Sequence, residues 1–199
     1  MIQLYIDEDQ MENHHFSVKN QTGEIQYLIE GYWGKKGDRI NLLSKKGKLL
    51  LQAKQTNISP FFNFDLLYNR EKIGSIRKHP GFFGLRDAFF TVHPKDWIVR
   101  GDFEKVHFSI FKEEEEIAKI NKLLKHANYR YSLKIKARKD GALISLLAIL
   151  FDHYSRNKGR EEKIEELFQK NYKFGFINYR MDSELCLDKY LAENKKRVK

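Results

Sequence analysis

The stretch that decides the fold is the apolar run Gly141-Ala-Leu-Ile-Ser-Leu-Leu-Ala-Ile-Leu-Phe151. Ser145 is its one polar side chain, so a helix over Ala142–Phe151 has no face suited to water and must be buried in protein or in lipid. A bilayer span needs about 20 apolar residues, and this run stops well short of that length, at Asp152 and His153. We therefore predict the buried core helix of a soluble, β-rich domain, not a membrane anchor.

The residues before this helix have the pattern of short strands joined by polar turns. In 129–137, Tyr131, Leu133 and Ile135 alternate with polar or basic residues, which is typical of a strand with one buried face. The candidate strands are 14–19, 25–30, 39–43, 48–55, 61–68, 72–77, 88–93, 97–101, 106–111, 116–122 and 129–137. Because the turns between them are short, the pattern predicts antiparallel hairpins, and a sheet curled around the helix would bury both apolar surfaces.

An imperfect internal repeat supports one duplicated β-unit. Phe16-Ser-Val18 and Tyr27–Gly31 correspond to Phe90-Thr-Val92 and Trp97–Gly101. The pattern continues from Ile40–Leu43 into Leu49–Lys54 in the first copy, and from Phe108–Ile110 into Ile117–Lys122 in the second. The copies lie roughly 70 residues apart, so two unrelated domains are a poorer explanation.

Composition limits the classes of function. The net charge of +10 is compatible with an anionic partner, either nucleic acid or a phospholipid surface, but the charge is spread along the chain, which is also typical of an ordinary solvated surface. The single Cys186 excludes an internal disulfide framework, and the acidic N-terminus lacks the apolar segment of a secretory signal, so we predict a cytoplasmic setting. There is no G-x-S-x-G motif, the histidines are scattered, and Glu113–Glu116 resembles a solvated turn. We predict no enzymatic activity, no cofactor and no metal site.

Taken together, these segments resemble the tubby C-terminal-like fold, and most closely its LURP-one-related branch, which is related to phospholipid scramblases. The resemblance is carried by Ile29-Glu-Gly31, Gly47–Leu51, Lys72–Lys78, Trp97–Asp102, Ile117–Lys122 and Ala142–Phe151. It implies a barrel of about twelve antiparallel strands around helix 142–152, within a domain spanning 1–156. In the family the apolar helix usually closes the chain, whereas here a mostly helical extension, 157–199, is predicted to follow. Asp152 and His153 are expected to emerge from the barrel where this extension begins.

The resemblance also implies a binding role, because animal members of the family bind phosphoinositide head groups through basic residues. Charge density alone selects the candidate ligand-binding cluster, which comprises Lys35, Lys36, Arg39, Lys45, Lys46 and Lys48. If strands 39–43 and 48–55 pair, the last four of these side chains are expected to lie close together. Convergent ammonium and guanidinium groups bind phosphate well. The other interpretation is that these cations only keep the turns soluble.

A second candidate is the segment 78–86, Lys-His-Pro-Gly-Phe-Phe-Gly-Leu-Arg. Successive side chains alternate in an extended loop, so Phe82 and Phe83 do not both point inward. An exposed ring flanked by Lys78 and Arg86 would suit a membrane interface. Alternatively, the C-terminal extension covers this ring.

The leading hypothesis is a cytoplasmic, non-enzymatic binding module for anionic phospholipid or another phosphorylated ligand, peripheral at the membrane. The alternative is a protein-interaction scaffold that uses 157–199. Nucleic-acid binding is less favoured, since the tyrosines of 129–136 share a face with Leu133 and Ile135 and are expected in the core. The sequence assigns no oligomeric state.

Overall fold

The computed structural model describes residues 1–8, 14–33, 37–56, 63–79, 89–125 and 128–155. The strands in these ranges are β1 (Ile2–Glu8), β2 (His15–Lys19), β3 (Ile25–Tyr32), β4 (Arg39–Ser44), β5 (Leu49–Gln55), β6 (Asn63–Tyr68), β7 (Glu71–His79), β8 (Phe89–His93), β9 (Trp97–Asp102), β10 (His107–Lys112), β11 (Glu115–Lys125) and β12 (Asn128–Ile135). A 3-10 turn (Arg138–Asp140) leads into helix α1, which spans 141–155. The predicted extension, 157–199, lies outside the described residues.

The strands form a closed antiparallel barrel in which each pairs with its neighbours in sequence. The closing pair is β1 with β12, and its register sets Leu4 opposite Leu133 and Ile6 opposite Tyr131. The predicted antiparallel barrel around a helix is therefore confirmed. Strand β1 was absent from the strands predicted by pattern, although its buried Leu4 and Ile6 alternate with more exposed polar side chains.

Helix α1 fills the barrel, as its apolar sequence predicts. From Ile144 to Phe151 no side chain is more than 1% exposed. The hydroxyl of Ser145 donates to the carbonyl of Gly141 at 2.8 Å, which satisfies the one polar group of the run. Near the end of the helix, the Phe151 ring lies 4.5 Å from the Phe90 ring and 5.1 Å from the Phe108 ring, both on the barrel wall.

The strand registers reproduce the internal repeat. Phe16 pairs with Ile29, and the equivalent Phe90 pairs with Val99. Ile29 then pairs with Leu42, as Val99 does with Ile110. The fourth strand of each unit differs by one residue from the repeat in the sequence, which matches Leu51 with Lys119. In the structure Leu42 pairs with Leu51, whereas the equivalent Ile110 pairs with Ala118.

The two ends of the barrel differ in how their strands are joined. At one end, which we call the turn end, the connections are the tight turns 20–24, 45–48, 69–70, 94–96 and 113–114. At the other, the loop end, the connections are 9–14, 33–38, 56–62, 80–88, 103–106 and 126–127. Helix α1 starts at the turn end, where a Cβ on Gly141 would lie 3.3 Å from Leu4, and finishes at the loop end.

Candidate functional site

The turn between β4 and β5 carries three exposed lysines, Lys45, Lys46 and Lys48, which we call the basic turn. Its backbone is held by Ser44, whose hydroxyl accepts from the backbone N–H groups of Lys46 (3.3 Å) and Lys48 (3.1 Å). Gly47 has a φ of +79°, a left-handed conformation that glycine adopts without steric cost. The backbone hydrogen bonds are satisfied within the turn, and all three lysine side chains are exposed to solvent.

Arg39 does not lie with the basic turn, and the predicted convergence is wrong for this residue. Strands β4 and β5 do pair, but their register sets Arg39 opposite Lys54 at the loop end. A strand rises about 3.3 Å per residue, so the length of β4 keeps Arg39 roughly 17 Å or more from the basic turn. Its guanidinium instead lies 4.6 Å from the centre of the Tyr32 ring. Lys35 and Lys36 lie outside the described residues.

Of the four candidate membrane-contact residues in segment 78–86, Lys78 alone lies in the described part of the chain. It lies near the end of β7 opposite Phe90, and its Nζ is 5.1 Å from the centre of the Tyr154 ring on α1. This lysine therefore contacts the end of the helix. Phe82, Phe83 and Arg86 lie outside the described residues.

The loop end holds a cluster that joins the helix to the barrel wall. Asp152 of α1 is 2% exposed, and its carboxylate accepts from the ammonium of Lys122 on β11 at 2.5 Å. The same ammonium lies 5.6 Å from the centre of the Tyr131 ring. Asp152 was expected to emerge from the barrel, but it is buried, because Lys122 points inward and compensates its charge.

The next residue, His153, extends this cluster to the other side of the barrel. Its ring stacks on Trp33 with the ring centres 3.6 Å apart and 6° between the planes. Its Nε2 lies 2.9 Å from a carboxylate oxygen of Asp38. Gly31 makes the stack sterically feasible, because a Cβ at that position would overlap the Trp33 ring. Residues Trp33, Asp38, Lys122, Asp152 and His153 form what we call the helix-end cluster.

Sequence reasoning missed the helix-end cluster. His153 and Asp38 are 115 positions apart, and Asp152 and Lys122 are 30 apart. Residues this far apart in the sequence form no local motif from which their contact could be predicted. The one available signal was the stop of the apolar run at Asp152-His153, two polar residues on a helix that is otherwise buried.

A comparison with known families identifies the barrel. The family model described as LURP-one-related matches residues 2–152. The chain belongs to the LURP-one-related family. The match includes every described strand and nearly all of α1, and it confirms the resemblance carried by the scattered sequence segments.

The fold of this LURP-one-related chain also occurs in a solved structure. A protein from Arabidopsis thaliana superposes with a TM-score of 0.55 at 13% sequence identity, over 76% of this chain and 90% of that one. At this identity the likeness concerns the fold. No match was found among the curated proteins.

Several described titratable groups of this LURP-one-related barrel have shifted pKa values, among them His79 at the loop end and Glu115 at the turn end. At the loop end, burial lowers the pKa of His79, and repulsion from His93 lowers it further. The His79 ring stacks on Phe89, with a ring nitrogen 3.0 Å from the Thr91 hydroxyl. At the turn end, a hydrogen bond from Lys136 lowers the pKa of the Glu115 carboxyl.

Two kinds of feature are absent from the described ranges. Within them, no group of three His, Cys, Asp or Glu side chains is arranged to hold a metal ion. None of the helices in those same ranges is both long enough and apolar enough to cross a membrane.

Proposed function

We propose that the protein is a non-enzymatic, cytoplasmic binding module that recognises anionic phospholipid, or another phosphorylated ligand, at the periphery of a membrane. The observation that carries this proposal is the basic turn. Three lysines within four residues project from one hydrogen-bonded turn, and that turn contains no acidic residue. Ammonium groups held side by side offer a phosphate several charge-assisted hydrogen bonds.

Two further features support the proposal. The net charge of +10 draws anionic partners toward the whole chain, which raises the rate of encounter. The helix-end cluster, by contrast, has the character of a structural element, since Lys122 and His153 each contact a carboxylate. The basic turn is therefore the better candidate for recognition of a ligand.

The test removes the three charges without touching the core. Lys45→Gln, Lys46→Gln and Lys48→Gln combined should weaken binding to phosphatidylserine-containing vesicles about 100-fold, because a lysine near an anionic surface contributes about 1 kcal/mol. Binding is measured by co-sedimentation with vesicles of defined composition. The matched control loses the same charge elsewhere, through Lys54→Gln, Arg100→Gln and Lys105→Gln, all at exposed positions.

The control variant should bind nearly as well as the natural protein. Equal losses in the two variants would show that net charge alone drives binding. Equal binding of the natural protein to neutral and anionic vesicles, or binding to neither, would contradict the lipid version of the proposal. Retention of inorganic polyphosphate with the same dependence on the three lysines would favour a phosphorylated ligand.

The alternative function, a scaffold using 157–199, concerns residues outside the described structure and stays a prediction. Deletion of 157–199 should then abolish capture of a protein partner while vesicle binding and the fold persist. Loss of the fold on deletion would instead assign the extension a structural role. Nucleic-acid binding finds little support here, because Tyr131 is fully buried and cannot stack on a base.

A further inference from the structure

Exposed apolar side chains gather around the basic turn. In the described part of the chain, the large hydrophobic residues more than about a third exposed are Met1, Ile25, Tyr32, Leu49, Tyr68, Ile73 and Leu123. Besides Met1, which precedes β1, four of them lie at the turn end, on β3, β5, β6 and β7, with exposures of 40% (Ile25), 40% (Leu49), 50% (Tyr68) and 46% (Ile73). We call these four residues the apolar collar.

The strand registers continue the apolar collar along the outer face of the sheet. Leu49 follows Lys48 directly and pairs with Leu43 on β4. Leu43 in turn pairs with Leu28 on β3. Leu28 and Leu43 are half-buried, and each is next in sequence to a buried residue that faces the barrel interior. Because side chains alternate along a strand, Leu28 and Leu43 face outward. Three leucines therefore lie side by side on the outer surface of adjacent strands.

The apolar collar is confined to one side of the turn end. Across the barrel, the hairpin between β10 and β11 exposes only charged side chains, from Lys112 to Glu116. The neighbouring turn 94–96 exposes Lys95 and Asp96, and Trp97 and Ile98 at the start of β9 are buried. The apolar collar therefore distinguishes the β3–β7 side of the turn end. Exposed apolar patches commonly mark a binding surface for a protein or a membrane.

We propose that the apolar collar and the basic turn form one face that docks on an anionic bilayer. The side chains of Leu49 and Ile73 would enter the boundary between head groups and acyl chains, while Lys45, Lys46 and Lys48 contact the lipid phosphates. Interfacial binding has this form, in which buried apolar area and attraction to anionic lipid act together. The inference rests on the proposed function and adds the face and the depth at which the protein meets lipid.

Charge complementarity favours a bilayer over a second copy of this chain. In a two-fold dimer the same patch meets itself, so the three lysines of one copy would approach those of the other. Such like-charge contacts cost free energy and oppose self-association. A small soluble phosphate would engage the lysines and leave Leu49 and Ile73 in water. An anionic bilayer satisfies both the cations and the apolar side chains.

The test compares two leucines of similar exposure at opposite ends. Leu49→Ser should lower the affinity for phosphatidylserine-containing vesicles roughly tenfold at physiological salt, since one inserted aliphatic side chain is lost. Leu123→Ser removes a leucine that is 45% exposed near the loop end and should leave affinity unchanged. Co-sedimentation gives both affinities, and thermal unfolding checks that both variants are folded.

A second measurement reports depth. Leu49→Trp should show fluorescence that brominated lipids quench more strongly than the emission of the natural protein, whose Trp33 lies at the loop end and whose Trp97 is 2% exposed. Quenching no greater than in the natural protein would overturn insertion of the apolar collar, even if a serine variant were too unstable to assay.

The two proposals fail in different ways. If Leu49→Ser and Leu123→Ser bind vesicles equally while loss of the three lysines still abolishes binding, the bilayer face is wrong and the proposed function stands. A concentration-dependent dimer that Leu49→Ser disrupts would also overturn the bilayer face. If the natural protein binds neither anionic vesicles nor polyphosphate, both proposals fall.

Discussion

The two ends of the barrel use charge in opposite ways. At the loop end, the charged side chains of the helix-end cluster face inward, and Asp152 is neutralised by Lys122 at the tip of α1. At the turn end, the hairpin of β4 and β5 satisfies its own backbone groups, and its three lysines are exposed to solvent. The same residue types therefore hold the fold together at one end and are available to a ligand at the other. Three predictions test this comparison.

The largest effect is expected from Asp152→Asn. This change removes the charge of the buried Asp152 carboxylate, while the inward-pointing Lys122 ammonium, whose side chain is 17% exposed, keeps its own. Loss of one partner of a buried ion pair should lower the free energy of unfolding by about 3 kcal/mol. Urea denaturation measures it. The double variant Lys122→Met with Asp152→Leu should recover most of the loss, since an apolar pair removes both charges together.

The matched change at the turn end is Glu115→Gln. Its partner Lys136 is 46% exposed, so solvent screens the pair and the free energy of unfolding should barely change. Equal destabilisation by Asp152→Asn and Glu115→Gln would contradict the contrast between the ends.

An intermediate effect is expected from one glycine at each end, for different reasons. Gly31→Ala drives a Cβ into the Trp33 ring, so the stack on His153 must shift, at a cost of about 1–3 kcal/mol. Gly47→Ala meets no atom within 4 Å, and its cost of about 1 kcal/mol comes from the left-handed backbone. Asparagine tolerates that backbone, so Gly47→Asn should be nearly neutral while Gly31→Asn is worse than Gly31→Ala. Thermal unfolding of the four variants distinguishes the steric clash expected at Gly31 from the backbone strain expected at Gly47.

The smallest effects are in the dependence of stability on pH. The pKa of His79 is lowered in the folded protein, so the unfolded chain binds the proton first as pH falls below the usual value of 6.5. The contribution of His79 to the free energy of unfolding is therefore fully present above pH 6.5 and is lost progressively as the pH falls below that value. The lowered pKa of Glu115 adds stability above pH 4.5, which is lost as the pH falls further. His79→Gln should flatten the first decline only, and Glu115→Gln the second, in urea denaturation repeated across pH.

Much of the fold could be predicted because its signals are local. The length of 142–151 identified a core helix, and eleven of the strands were located from short apolar segments between polar turns, several of them with period-two alternation. The omission of β1 was avoidable, since Leu4 and Ile6 alternate with polar residues in the sequence. Its closing partner, β12, lies at the far end of the domain, so the alternation alone gave no reason to expect closure there.

The site was less predictable because it depends on register and on long-range contacts. Charge density selected Lys45, Lys46 and Lys48, which do share one turn, but it added Arg39 from the opposite end of β4. The helix-end cluster joins residues that only barrel closure brings together. The apolar collar was not predicted, because in the sequence Leu49 and Ile73 resemble core residues. Only the structure shows that both are exposed.

The closing pair of β1 and β12 has a consequence for how the chain folds. Its partners are separated by more than 120 positions, and the helix that fills the barrel follows both. A ribosome therefore releases the wall of the barrel before its filling, and the apolar lining stays uncovered until 141–155 has emerged. Because contacts between distant residues form slowly, the nascent domain should remain in need of chaperone protection until synthesis has passed α1. The barrel is then expected to close and fill in one cooperative step.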